Sequence, residues 1–206
     1  IYPESVLAYL GADMGISGEG EIAFPALLDC MRQGRGFSEM PGLYLPGMGI
    51  SVKSRIAENL DDLPFPDERL WLAAERMQED IWIPAQTRRG CPMDCSYCST
   101  SAIEGRIRRA HSPGAVIAML ERHVKAGFRK FYFTDNTFNI PSSYAQEICR
   151  RIRGSGLEIS WMCILYPWDM EEALVSDMAQ SGCRDVSLGF ESGNQEMLHR
   201  MNKIFD

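Results

Sequence analysis

Between residues 81 and 203 the sequence alternates four times between strand-like and helix-like segments. Apolar runs of strand length are followed by segments with helical periodicity that carry caps or glycine stops. Strands are predicted from residue 81, at 128–135, at 157–165 and at 184–190, and helices at 112–127, 142–156, 169–183 and 194–203. Ser112 and Asp169 are the predicted N-caps of two of the helices. Such alternation with short loops predicts an α/β fold on a parallel sheet.

Polar or thiol-bearing segments follow three of these strands directly. They are the loop that begins at Cys91, the segment Thr134–Asn136 and the segment Glu191–Asn194. In parallel sheets and barrels the carboxyl ends of the strands share one face, and ligands bind there. We therefore expect the three segments to meet at one rim, although they are far apart in the sequence.

The loop after the first strand holds Cys91, Cys95 and Cys98, spaced C-x3-C-x2-C in a polar, exposed-looking stretch. Structural zinc usually has four ligands, so zinc would need a distant fourth ligand, for which His111 and Cys163 are the candidates. Iron–sulfur clusters are held by cysteine thiolates. A cluster on three thiolates keeps one iron open, as a catalytic metal requires. The spacing favours an iron–sulfur cluster over zinc.

This cysteine motif, with Tyr97 just before its last cysteine, resembles the signature of the radical S-adenosylmethionine (SAM) enzymes. The resemblance includes the preceding TRRG and covers about residues 81–203. It implies a partial TIM-like (β/α) barrel with a 4Fe-4S cluster on Cys91, Cys95 and Cys98. It also implies that SAM binds the open iron and, when the cluster is reduced, is cleaved to methionine and a 5′-deoxyadenosyl radical that abstracts hydrogen from the substrate.

The resemblance further suggests which residues contact SAM. Tyr97 would lie against the adenine, unless its ring only packs the loop. Asp135 or Asn136 would accept from the SAM ammonium, at a place where many members have Gly-Gly-Glu; an Asx turn is the alternative. Glu191 and Ser192 would lie near the ribose or amino-acid part, although Ser192 or Asn194 could instead cap the next helix.

Five arginines near the cysteine loop predict a positive patch that could hold a carboxylate or phosphate, with a solvated face as the alternative. They are Arg88, Arg89, Arg106, Arg108 and Arg109. Cys163 shares a strand face with Trp161 and Leu165 and could look into the barrel, but a small buried side chain is the better interpretation. Cys30, Cys149 and Cys183 are interpreted in the same way.

The N-terminal part predicts a second domain. A helix at 4–10, a strand at 12–16 and a helix at 22–33 form the end of an α/β unit. Residues 34–54 predict a small hairpin or an irregular connection, and a linker (60–67) and a helix (67–79) follow. The segment GEGEIA (18–23) and its surroundings resemble the end of the cobalamin-binding domain of cobalamin-dependent radical SAM enzymes. The predicted domains are residues 1–35, 36–80 and 81–206. Cobalamin is implied for a longer parent protein, of which this chain is expected to be a fragment.

Composition limits the partners. The 206 residues carry a net charge of −7, which argues against binding to the negatively charged backbone of a nucleic acid. No run of residues is long and apolar enough to cross a membrane. Seven unevenly spaced cysteines favour the reducing cytoplasm over a secreted disulfide framework. We expect cobalamin-linked methyl transfer to a small molecule, with an electron donor such as flavodoxin or ferredoxin. The alternatives are a methylthiotransferase-like enzyme acting on RNA or protein, and a zinc- or iron–sulfur-stabilised module without catalysis.

Overall fold

The computed structural model describes residues 2–37, 39–50, 52–53, 56–67, 81–168 and 170–205. The chain divides into two units, Ile1–Leu63 and Pro64–Asp206. Apart from its first residue, the helix predicted at 67–79 lies outside the described residues, as does the predicted cap Asp169.

The first unit combines two helices with a small antiparallel sheet. Its elements are α1 (Pro3–Leu10), β1 (Gly15–Ile16), α2 (Gly20–Arg32), β2 (Leu43–Leu45) and β3 (Gly49–Ile50). The prediction of a hairpin within 34–54 is confirmed, because β2 pairs with β3 antiparallel. β1 pairs with the other edge of β2, so the predicted cobalamin-domain segment and the hairpin share one sheet.

The second unit contains the predicted strand–helix repeats. Its strands are β4 (Trp82–Ala85), β5 (Arg88–Arg89), β6 (Arg109–Ala110), β7 (Lys130–Phe133), β8 (Ser160–Leu165) and β9 (Cys183–Leu188). Its helices are α3 (Thr100–Glu104), α4 (Pro113–Lys125), α5 (Ser142–Gly154), α6 (Glu172–Gln180) and α7 (Gln195–Arg200). Most of these elements are a few residues shorter than predicted, since turn residues at their ends leave the ladder or the helix.

The main sheet is parallel, in the order β4–β7–β8–β9. Each strand lies beside the one before it in the repeat, which is the winding of a (β/α) barrel; a doubly wound sheet would reverse its order. The prediction of a parallel sheet with a partial-barrel arrangement is confirmed. The carboxyl ends of all four strands therefore point to one rim.

The hydrophobic core lies between this sheet and its helices. Phe131, Phe133, Trp161 and Cys163 alternate along β7 and β8, are at most 1% exposed, and belong to one cluster with side chains of α4, α5 and α6. The face of Cys163 is therefore the helix-covered one, which corrects the suggestion that it looks into the barrel and confirms that it is buried. At the start of α4, the Ser112 hydroxyl accepts from the Ala115 amide at 3.2 Å, as predicted for an N-cap.

Candidate functional site

The cysteine loop is closed at its base by a short two-stranded ribbon. β5 pairs with β6 antiparallel, Arg88 opposite Ala110 and Arg89 opposite Arg109, so residues 90–108 form the loop. Gly90 has φ +86, and a Cβ there would lie 2.2 Å from the carbonyl oxygen of Ile107. Only glycine fits this approach of the two sides of the loop. The Cys91 amide donates to Gly105 across the loop at 3.0 Å.

The three cysteines of the motif differ in how far they are exposed to solvent. Cys91 is buried, Cys95 is half-buried and Cys98 is exposed. Burial raises the pKa of the Cys91 and Cys95 thiols, and the charge of neighbouring cysteines raises both pKa values further. The three cysteines lie within residues 91–98 of a loop whose two ends are paired by β5 and β6. The Cys98 sulfur also accepts from the Thr100 amide at 3.5 Å.

These thiols fit a cluster in which each thiolate binds a different iron. Within residues 81–168 and 170–205 and the described part of the first unit, no three His, Cys, Asp or Glu side chains form a group that could hold a single metal ion. His111, a candidate fourth zinc ligand, stacks its ring on Phe65 with centroids 4.7 Å apart. Cys163, the other candidate, lies in the core under the helices.

The end of β7 supplies a buried carboxylate. Asp135 is 2% exposed and accepts from the Thr87 amide at 2.8 Å, the Thr87 hydroxyl at 2.6 Å and the Arg88 amide at 2.9 Å. Burial raises the pKa of Asp135, while Arg88 and the Thr87 hydrogen bonds oppose that rise. The expectation that Asp135 accepts from SAM does not match this placement, because both carboxylate oxygens already bind the segment that leads from β4 to the cysteines.

Asn136, the next residue, is half-buried on the side of the cysteine loop. Its amide nitrogen donates to the Glu104 carboxylate at 3.0 Å, and the same Glu104 oxygen accepts from the Gly90 amide at 3.0 Å. Glu104 therefore joins the end of β7 to the start of the cysteine loop. The sequence analysis did not single out Glu104, since nothing in the local sequence marks it as a bridge between the two segments.

The segment after β9 brings Glu191 and Ser192 to the same rim. Glu191 has a positive φ of 64 and an exposed side chain that lies 3.5 Å from the Lys203 ammonium. A non-glycine residue with a positive φ is uncommon, and such residues concentrate at functional sites. The Ser192 hydroxyl accepts from the Asn194 amide, and the Asn194 side chain caps α7 by accepting from Met197, both at 3.1 Å.

The end of α7 packs against the cysteine loop, a contact that the sequence did not reveal. Ser96 donates its amide to the Met201 carbonyl at 3.1 Å and its hydroxyl to the Arg200 carbonyl at 3.0 Å. The Asn202 amide nitrogen donates to the Asp94 carbonyl at 3.1 Å. The loop is thus held from two directions, by its own ribbon and by a segment about a hundred residues later.

The five arginines near the loop do not form one anion-binding patch. Arg88 is 5% exposed and donates to backbone carbonyls of the segment after β7, those of Thr137, Phe138 and Ile140. Arg109 donates to the Glu104 carbonyl, Arg89 to the Gln86 side chain and Arg106 to Asp94. A guanidinium has five N–H donors, so one arginine can hydrogen-bond to several groups of neighbouring segments at once.

Arg108 is half-buried at the end of the cysteine loop. Its Nη1 atom is buried and has no hydrogen-bond partner within the residues that the structure describes. Its backbone lies against the residue before Cys91, since a Cβ on Gly90 would be 3.4 Å from the Arg108 Cα. A buried donor without a partner is uncommon and marks a place where a ligand can bind.

This geometry agrees with what comparisons with known proteins show. The family model described as "Radical SAM superfamily" matches residues 86–205, and the chain belongs to this superfamily. An uncharacterized methyltransferase of Pyrococcus horikoshii is 32% identical over 199 residues, covering 93% of this chain and 43% of its own. A tRNA-2-methylthio-N(6)-dimethylallyladenosine synthase of Clostridium botulinum is 21% identical over 225 residues, covering 98% and 50%.

Among solved structures, the chain resembles the radical SAM methyltransferase TsrM from Kitasatospora setae, with a TM-score of 0.81 at 19% identity over 98% of this chain and 43% of that one. The likeness confirms the fold. The chain therefore belongs to a superfamily of enzymes that use a 4Fe-4S cluster and SAM. None of the described helices is long and apolar enough to cross a membrane.

Proposed function

We propose that this chain forms the SAM-cleaving part of a cobalamin-linked radical SAM methyltransferase. The observation that carries the proposal is that the cysteine loop and the segments after β7 and β9 meet at one rim, joined by Glu104 and Lys203. The methyltransferase relative, at the higher identity, favours methyl transfer over methylthio transfer. The chain spans half or less of each relative's length, so the substrate and cobalamin sites are proposed for the whole protein.

Cys91, Cys95 and Cys98 would hold the cluster and would leave one of its irons open to SAM. The bound cluster supplies the one-electron cleavage of SAM. Asn136 donates to Glu104 through its nitrogen, which leaves its carbonyl oxygen to accept from the SAM ammonium. Arg108 offers its unpartnered Nη1 to the SAM carboxylate, because a charge-assisted hydrogen bond would satisfy that buried donor.

Glu191 and Ser192 are proposed to contact the ribose, and Tyr97, at 53% exposure, the adenine. The half-exposed ring and the exposed Glu191 lie on the same side of the cysteine loop, and both contact Lys203. An aromatic face supplies apolar area to a base with little loss of side-chain freedom. The proposal extends to a small-molecule substrate, an electron donor such as flavodoxin or ferredoxin, and the cytoplasm as the compartment.

The test of the function is anaerobic reconstitution of the chain with iron and sulfide, followed by reduction, addition of SAM and assay of 5′-deoxyadenosine. The expected product is about four iron atoms per chain and SAM-dependent 5′-deoxyadenosine. Cys95→Ala should lose both, whereas Cys30→Ala, a half-buried cysteine in the first unit, should lose neither. A colourless protein that binds zinc in place of the cluster would refute the proposal.

The SAM contacts are tested separately, by equilibrium binding of SAM to the reconstituted protein. Arg108→Met should weaken binding by about tenfold, the loss expected for one hydrogen bond between charged groups. Arg106→Met is the matched control, because Arg106 already pairs with Asp94 at 2.7 Å in an exposed position. Equal affinity of both variants for SAM would remove Arg108 from the site.

A further inference from the structure

A buried lysine lies beside the cysteine loop, and neither the motif nor the repeat pattern assigns it a role. The Lys203 side chain is only 4% exposed. Its ammonium lies over three aromatic rings, 5.4 Å from the centroid of Tyr97, 5.1 Å from Tyr166 and 5.7 Å from Phe205. An ammonium is the most strongly hydrated of the cationic groups, so its burial carries a large desolvation penalty unless something compensates it.

The compensation comes from groups of the rim. The ammonium lies 3.5 Å from a Glu191 carboxylate oxygen and 3.5 Å from the Gly189 carbonyl oxygen. Burial disfavours the charged form of the amine, but the carboxylate, the carbonyl oxygen and the three ring faces favour it. The side chain therefore stays charged inside the cage of aromatic rings.

The aromatic rings around Lys203 hold its charge beside the cysteine loop. Tyr97 lies between Cys95 and Cys98 in the sequence, and its ring is one of the three over which the Lys203 ammonium lies. The backbone bonds from Ser96 to Met201 and from Asn202 to Asp94 fix the lysine's segment against the same loop. The ammonium thus occupies a fixed position over the aromatic ring that stands between two of the proposed cluster ligands.

We propose that Lys203 is a positioning residue for the cluster, which supplies a fixed positive charge beside the cysteine loop that stabilises the reduced form. This inference rests on the proposed cluster at the three cysteines. A cluster on three thiolates gains one negative charge when it takes up one electron from the donor, and a nearby cation favours the more negative state. Charge and hydrogen bonding around the sulfurs are established means by which proteins set cluster potentials.

The experiment is a redox titration of the reconstituted chain, without SAM, followed by the electron paramagnetic resonance signal of the reduced cluster. Lys203→Met keeps the length and apolar stem of the side chain and removes the charge. We expect the ratio of reduced to oxidised cluster at a given potential to fall about tenfold, which for a one-electron couple is a shift of about 59 mV to more negative potential. Lys203→Arg keeps the charge and should titrate close to the unmodified chain.

Lys130→Met is the matched control, because Lys130 also lies over an aromatic ring, that of Trp82 at 5.6 Å, but at the opposite end of the sheet. An iron-loaded Lys203→Met whose potential equals that of Lys130→Met overturns the proposal. If Lys203→Met loses its iron, the Lys203→Arg variant is used instead. An unchanged cluster potential in Lys203→Arg supports the role of the charge. Loss of iron from Lys203→Arg as well overturns the proposal, because the shape of the lysine side chain and not its charge is then what the site requires. Absence of a cluster from the unmodified chain would instead refute the proposed function.

Discussion

Replacement of Gly90 by alanine should open the base of the cysteine loop. The new Cβ would lie 2.2 Å from the Ile107 carbonyl oxygen, whereas ordinary contact begins at 3.4 Å, so the two sides of the loop must separate by about 1 Å. Both groups belong to the backbone, so no side chain can rotate away. Forced overpacking costs about 1–3 kcal/mol, and the positive φ of a non-glycine residue adds about 1–2 kcal/mol.

The predicted loss of about 2–5 kcal/mol is measured by urea unfolding of the reconstituted and apo chain. Tryptophan fluorescence reports the second unit alone, since every tryptophan lies beyond residue 63. Iron per chain should fall as well, because Cys91 follows Gly90 directly and its amide bond to Gly105 spans the loop at 3.0 Å. The expected phenotype therefore joins lower stability to poorer retention of the cluster.

Gly105→Ala provides the control within the same loop. Gly105 has φ +88, close to that of Gly90, but a Cβ there meets no atom within 4 Å. This variant carries backbone strain of about 1–3 kcal/mol without the clash. If both variants unfold at the same urea concentration and keep the same iron, the close approach of Gly90 to Ile107 does not hold the loop, and the reasoning fails.

Three further substitutions test other parts of the second unit. Asp135→Asn should lower the free energy of unfolding of this unit by about 2–4 kcal/mol in urea, because the buried donors of Thr87 and Arg88 lose a charged acceptor. A loss of stability smaller than that of an exposed Asp→Asn variant would contradict the buried placement. Ser112→Ala should cost about 1 kcal/mol through loss of the α4 cap, with Ser112→Thr retaining most of it. Trp161→Phe should cost about 1–3 kcal/mol, since it leaves a cavity and an unpaired Ser181 carbonyl in a fully buried position; calorimetric unfolding would measure the change.

The sequence predicted the parallel sheet and the rim well because both rest on repeating local patterns. Alternation of short apolar runs with amphipathic segments is visible without any knowledge of the fold, and the direction of parallel strands then brings their carboxyl ends together. The C-x3-C-x2-C spacing indicated an iron–sulfur cluster for a similar reason, since the chemistry of the thiolates requires that residue type at short spacing. The Ser112 cap followed from the same kind of local signal.

Only the tertiary structure decided which polar side chains of the rim hold the fold and which are left for a ligand. The Asp135–Thr87 hydrogen bonds join residues 48 apart in the chain, and the Asn202–Asp94 bond joins residues 108 apart. No local pattern encodes such pairs, because burial and hydrogen bonding depend on what another strand or helix brings to the same place. The sequence by itself determined that three thiols lie after the first strand of a parallel sheet. Only the tertiary structure buried Asp135, paired four of the five arginines and placed the Lys203 ammonium over the ring of Tyr97 in the cysteine loop.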